Sequence, residues 1–139
     1  MHKLSIDFLW LYLLIVLLYL HGCDFGEMEE YYTDKENYVT ATGTVTHIAY
    51  DEGYDTLYLA FSDMSYRFDD RNFKIEGDNF DIVMENGIEE KLAMGKEVEF
   101  ITAPRYFGDG YVMPIVSITI DGETLLEFEE GYENFLETL

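Results

Sequence analysis

The chain has 139 residues and carries 29 acidic against 8 basic residues, a formal net charge of −21. A surface of that sign repels nucleic acid, which is held through basic patches and counterion release, and it repels anionic lipid headgroups. Nucleic acid is thereby excluded as a partner, and cations and basic protein surfaces are what remains attractive.

The first element is Lys3 followed by an unbroken apolar run over residues 8–20 (FLWLYLLIVLLYL), closed by Leu20-His21-Gly22-Cys23. Its 13 residues fall short of the roughly 20 that a spanning helix needs and have the length of the apolar region of a secretory signal. With leucine three positions before the cysteine and a small residue directly before it, the segment resembles the lipobox of a bacterial lipoprotein signal peptide. His21 is an unusual residue at its place in such a signal, and Asp7 weakens the charge of the leading region. The resemblance implies that residues 1–22 are removed, that Cys23 carries a diacylglyceryl group, and that the protein sits on the extracytoplasmic face of the cell membrane. The membrane would then be contacted through the N-terminal lipid and not through the protein surface. A transmembrane anchor over the same residues is the alternative.

Cleavage would remove Lys3 and Asp7 and leave the charge at −21. Cys23 is the only cysteine, so once it is acylated no disulfide, thiol nucleophile or cysteine-based zinc site is possible. One histidine, His47, remains after residue 22, too few for a multi-histidine metal site, and it falls in a strand-like run. Neither Asp51, Glu52 and Asp55 nor Asp69 and Asp70 have EF-hand spacing. No catalytic residue, no cofactor and no metal site is expected.

Residues 23–37 read as the lipidated cysteine and an acidic, flexible tether, and residues 38–139 as one small domain. Residues 39–50 (VTATGTVTHIAY) alternate threonines with Val39, Ala41, Gly43, Val45 and His47, then shift phase to Ile48 and Tyr50, as a bent or bulged long strand would. Residues 51–55 (DEGYD) form a hairpin loop in which Gly53 supplies the special backbone angle. Residues 56–62 (TLYLAFS) are a second strand facing inward through Leu57, Leu59 and Phe61, and residues 65–75 hold a third, less regular one. Phe80, Val83 and Met84 lie at helical spacing between Asp78, the candidate N-cap, and Gly87, the stop, with a further helical turn over 88–94. Strand patterning resumes over 96–103 and 112–121, the latter with Val116, Ile118 and Ile120 on one face. Leu125, Phe128, Tyr132, Phe135, Leu136 and Leu139 then follow one face of a C-terminal helix.

Three strands, a helix and two strands is the order of an OB-fold, so the expected class is mainly β: a small five-stranded OB-like barrel with one helix between strands three and four and a C-terminal helical tail. A six-stranded barrel or small sandwich is the alternative. The G-x-V of Gly43 to Val45, Asp78-Asn79, the G-K-x-V of Gly95 to Val98 and the P-R-x-F-G-D-G of Pro104 to Gly110 are similar to motifs of small uncharacterised bacterial lipoprotein domains with OB-like barrels. That resemblance implies no activity.

In such a barrel a ligand would meet the loops between strands one and two and between strands four and five, together with the face beside them. Those loops carry Tyr50, Asp51 and Tyr54, and Arg105, Tyr106, Phe107, Asp109 and Tyr111. Aromatics beside an arginine suit stacking on a sugar, a peptide side chain or another planar group, and the alternative is a plain turn whose aromatics cover a barrel end. The function expected is a lipid-anchored, extracytoplasmic binding or protein-interaction module, its partner an envelope protein or a cationic partner. A structural or assembly component of a cell-envelope complex is the alternative, and a hydrolase ranks behind both.

Overall fold

The long first strand determines the shape of the domain. β1 (Val39–Asp51) pairs antiparallel through its first half with β4 (Glu97–Thr102) and through its second half with β2 (Thr56–Ser62). Val45 opposes Phe61 and His47 opposes Ala60, which leaves Thr46 as the extra residue of a bulge. A single inserted residue reverses the alternation of side chains and bends the strand. Ala41, Gly43 and Val45 therefore face the core ahead of the bulge and Ile48 packs on it afterwards. The phase shift falls one residue earlier than expected, and His47, expected on the inner face, is exposed on the outer one.

The computed structural model describes residues 11–13, 26–107 and 111–139, in two compact units, Met1–Thr33 and Asp34–Leu139. In the first unit residues 11–13 and 26–33 are helical, with Thr33 Oγ1 donating to the Glu29 carbonyl at 2.6 Å. The expected tether is therefore helical over most of its length, while Cys23 and most of the signal-like segment lie outside the described residues. No helix among the described residues is long and apolar enough to cross a membrane.

In the second unit β3 (Asn72–Glu76) follows β2 in antiparallel register, and β5 (Met113–Ile120) follows β4. Parallel pairs Phe73 with Met113 and Lys74 with Pro114 join β3 to β5 and close a five-stranded barrel in the order β1-β2-β3-β5-β4. Helix α1 (Asp78–Glu85) and the single turn α2 (Ile88–Lys91) lie between β3 and β4, as the OB-like order requires. Phe61, Phe73 and Phe100 meet at the centre, with Phe61 stacked on Phe100 at 4.6 Å between centroids. Burying each such ring contributes about 1.5–3 kcal/mol. Gly43 is what lets β1 cross there: a β-carbon at this position would lie 2.8 Å from the Phe61 β-carbon.

Several local expectations are corrected. Asp55, at φ 45°, and not Gly53, is the left-handed residue of the first loop, a conformation that the short polar side chain of aspartate tolerates. Gly77, at φ 64°, is the N-cap of α1 and Asp78 is its first residue, while Gly87, at φ 80°, stops the helix as expected. The third strand is confined to Asn72–Glu76.

The largest correction is at the C-terminus, where Leu125 belongs to a sixth strand, β6 (Glu123–Leu126), hydrogen-bonded to β5 outside the barrel. Asp121 and Gly122, at φ 54° and 77°, make the two-residue turn between them, the positive-φ pair that a type I′ hairpin needs. The helix, α3 (Phe128–Glu137), starts only afterwards. A second bulge, where Thr102 pairs with Ile115 and Ile101 with Ser117, makes Val116 the extra residue of β5. Val116 is thereby removed from the face expected to hold it with Ile118 and Ile120, and lies instead beneath Gly131 of α3.

Candidate recognition surfaces of the barrel

Of the eight residues expected to form one site, the seven that are described are divided between the two ends of the barrel. Because β2 and β3 are antiparallel and β3 is parallel to β5, the β1–β2 loop shares one end with the helices, and the β4–β5 loop shares the other with the β2–β3 loop. The length of β2, seven residues and so roughly 20 Å, separates them.

At the helix end stand Tyr50, Asp51 and Tyr54. The Gly77 amide donates to the Asp55 carbonyl at 3.0 Å and ties this loop to the start of α1. Tyr54 is 82% exposed at the tip of a 3-10 turn. Partial burial, and then the negative charge of Glu89, push the Tyr50 hydroxyl above its ordinary pKa. Asp51, Glu52, Asp55, Asp78, Asp81, Glu85, Glu89 and Glu90 make this end strongly acidic, and Lys91 is committed to an ion pair with Glu123. An open cleft of about 300 Å³ between α1 and α3 is lined by Asp78, Asp81, Ile82, Glu85, Glu130 and Asn134. Its lining is unsuited to an anion.

The opposite end has a different chemistry. Tyr106 packs half-buried on the core and meets Tyr111 edge to face at 4.9 Å. Partial burial, followed by Tyr111, Asp70 and Asp69, raises its pKa, which also marks the two loops as neighbours. Arg105 lays its guanidinium over the Phe107 ring at 4.4 Å, and Tyr111 is 56% exposed in the left-handed region at φ 48°. Asp109 lies outside the described residues.

Residues 63–71, which overlap the first part of the strand expected over 65–75, form the rest of this end. Phe68 anchors them by packing on Phe73 at 5.3 Å and on Phe100 at 6.1 Å. Tyr66 rests against Phe68 at 4.6 Å and remains 39% exposed. The backbone is held by the Ser65 amide donating to the Thr42 carbonyl at 2.9 Å and the Thr42 amide donating to Ser65 Oγ at 2.8 Å. Arg67 and Arg71 are exposed here, so all three arginines of the chain lie at this end. The aromatic and arginine content of SYRFDDR was the signal available in the sequence for this half of the site.

Between the ends runs the outer face of β1, β2 and β3. Its rows are His47, Ala60 and Asn72, then Ala49, Tyr58 and Lys74, then Asp51, Thr56 and Glu76. Lys74 is paired with Glu76 at 3.1 Å. Lys35 pairs with Glu129 at 2.9 Å and Lys96 with Asp121 at 2.6 Å, so each described lysine is committed to a carboxylate. The described residues contain no group of three or more His, Cys, Asp or Glu side chains that could hold a metal ion.

Comparison of the chain with protein-family models, curated proteins and solved structures finds no match. The fold assignment thus rests on the strand topology itself.

Proposed function

We propose that the protein is a lipid-anchored, extracytoplasmic protein-interaction module whose recognition surface is the barrel end carrying residues 63–71, Arg105, Tyr106, Phe107 and Tyr111. The anchoring half of this reading rests on the lipobox-like sequence ending at Cys23. The observation that supports the recognition half is the concentration of every arginine, together with exposed Tyr66 and Tyr111, at one end of a chain that is otherwise acidic. Tyrosine and arginine are the residues that dominate the energetics of protein interfaces, because each offers a large apolar area with a polar tip or fork. A scaffold anchors them: Phe68 and Tyr106 are packed on the core, so the side chains beside them are presented with little entropy left to lose.

The test is a photo-crosslinking residue placed at Tyr66 or Tyr111 in the full-length, membrane-inserted protein. A discrete protein adduct is expected from both positions and not from Glu137 on α3. Identical adduct patterns from all three positions, or none from any, would reject this end as the recognition surface.

A further inference from the structure

We propose that Asn86-Gly87, at the junction of α1 and α2, is a self-modification site: when the contact between this junction and β6 opens, the Gly87 backbone nitrogen attacks the Asn86 carboxamide and converts it to aspartate or isoaspartate. The proposal is independent of both the recognition surface and the lipid anchor.

The chemistry begins in the sequence. An asparagine side chain places an electrophilic carbonyl carbon, Cγ, one ring closure away from the nitrogen of the next residue, with the proximity that makes intramolecular reactions fast. A side chain on the following residue crowds that nitrogen, whereas glycine has none and reaches backbone angles that other residues avoid. Asn37, Asn72, Asn79 and Asn134 are each followed by Tyr or Phe, and Asn86 alone is followed by Gly. In the reaction the Gly87 nitrogen bonds to Asn86 Cγ, its proton passes through solvent to the leaving nitrogen, the Cγ–Nδ2 bond breaks and ammonia departs. Water then opens the succinimide. Breaking the ring nitrogen's bond to Cγ gives aspartate, and breaking its bond to the Asn86 main-chain carbonyl carbon gives isoaspartate, in which the chain runs through Cβ. Water is the co-reactant, and nothing is oxidised or reduced.

The fold holds both reacting groups back. The Gly87 amide donates to the Met84 carbonyl at 3.2 Å, where α1 stops, and Asn86 Nδ2 donates to the Leu125 carbonyl of β6 at 2.8 Å. Asn86 has ψ 8°, which eclipses its own nitrogen with that of Gly87. Its Cβ then lies about 120° away around the Cα–C bond, whereas the five-membered ring needs Cβ eclipsed with the Gly87 nitrogen. Ring closure therefore requires ψ to turn, the Gly87 bond to Met84 to break and the carboxamide to leave Leu125. Asn86 is exposed, so solvent water reaches the ring once it forms. Local opening of the helix end is thus the gate, and such openings cost less than global unfolding.

The product cannot remake the tie. A carboxylate only accepts hydrogen bonds, so an aspartate at this position sets its oxygens against the Leu125 carbonyl that Nδ2 had satisfied. Isoaspartate also adds a main-chain carbon between α1 and Gly87, which displaces the Gly87 amide from the Met84 carbonyl. Either product adds a negative charge beside Glu85, Glu89 and Glu90. The contact is a one-way latch: a chain that opens there is marked covalently and stays looser between α1 and β6.

The experiment follows the full-length protein by peptide mass mapping in mildly alkaline buffer, which favours loss of the Gly87 amide proton, with and without urea. The mass gain of OH replacing NH2 is expected only in the peptide holding Asn86-Gly87, as a mixture of aspartate and isoaspartate. It should form about tenfold or more slowly in the folded protein than in urea, because two hydrogen bonds must first break. Asn86→Asp, the product made directly, should speed hydrogen exchange at the β6 amides several-fold. The rate comparison uses only the wild-type chain and stands even if that variant is unstable. No mass gain at this peptide in urea, equal rates with and without urea, or unchanged β6 exchange in Asn86→Asp would each overturn the inference.

Discussion

Gly131 of α3 lies so close to the backbone of Val116 in β5 that a β-carbon at 131 would stand 1.8 Å from the Val116 carbonyl oxygen. Two irregularities make that approach possible: the β5 bulge that sets Val116 apart from the core face, and the glycine that removes the side chain opposite it. Buried Asn79 completes the joint by donating from Nδ2 to the Gly131 carbonyl at 2.9 Å, and it accepts from Asn134 Nδ2 at 3.1 Å.

Gly131→Ala therefore has two opposing effects. Alanine favours an exposed helix by about 1 kcal/mol over glycine. A β-carbon against a carbonyl oxygen is overpacking, which costs about 1–3 kcal/mol and more where backbone must move. The clash wins because the obstacle is backbone rather than a side chain that can rotate. We expect a lower thermal midpoint for Gly131→Ala and an unchanged one for Glu133→Ala on the exposed side of the same helix, measured by circular dichroism.

Asn79→Ala removes the side-chain donor to the Gly131 carbonyl and the acceptor of the Asn134 amide. A buried polar group deprived of its partner costs about 1–3 kcal/mol. Asn79→Asp should cost more at neutral pH, since it sets a carboxylate against that carbonyl, and part of the loss should return as the solution is acidified. Chemical denaturation at two pH values distinguishes the variants, and an aspartate variant insensitive to pH would contradict the assignment.

Gly43 and Phe61 are coupled in the same manner at the other face of the barrel. Phe61→Gly alone is expected to cost at least the about 3–5 kcal/mol of a large-to-small aromatic truncation, through the cavity it leaves beside Phe73 and Phe100. Gly43→Ala alone should destabilise by crowding the Phe61 β-carbon. In the double variant Gly43→Ala with Phe61→Gly the added methyl no longer meets the Phe61 side chain and is left only with the flexible Met64 side chain, so the combined loss should fall short of the sum of the single losses. Strict additivity in a double-mutant cycle would disprove the close crossing.

The hydroxyl of Tyr50 is held above its ordinary pKa, first by partial burial and then by Glu89, and Tyr106 is raised as well. A raised folded-state value means that the folded protein keeps its proton where the unfolded chain has lost it. The associated stability is complete below about pH 10, the unfolded value for tyrosine, and is lost as pH rises through the folded value. Tyr50→Phe should flatten that alkaline decline in denaturation curves. Because Tyr50 is 37% exposed, the effect should be small.

Cys23→Ala should move the protein out of the membrane fraction and abolish a diacylglyceryl mass adduct on a chain beginning at residue 23. An unmodified wild-type chain beginning at Met1 would instead make the first 22 residues an anchor and Cys23 a free thiol.

What the sequence determined by itself were properties carried by local periodicity and composition. The alternation of Leu57, Leu59 and Phe61, the helical spacing of Phe80 and Val83, and the order of strands and helix were legible because each is a short-range pattern that burial on one face enforces. The hairpin at Asp121-Gly122 was missed, because the helix-like spacing from Leu125 obscured it: apolar residues three or four apart also fit a strand joined to a helix. Only the tertiary structure decided which loops share an end. That depends on the parallel pairing of Phe73 with Met113, a contact between residues 40 positions apart that no local pattern encodes. It separated Tyr54 from Tyr106, joined Tyr106 to the loop of Arg67 and Arg71, and so gathered three arginines dispersed along an acidic chain onto one surface.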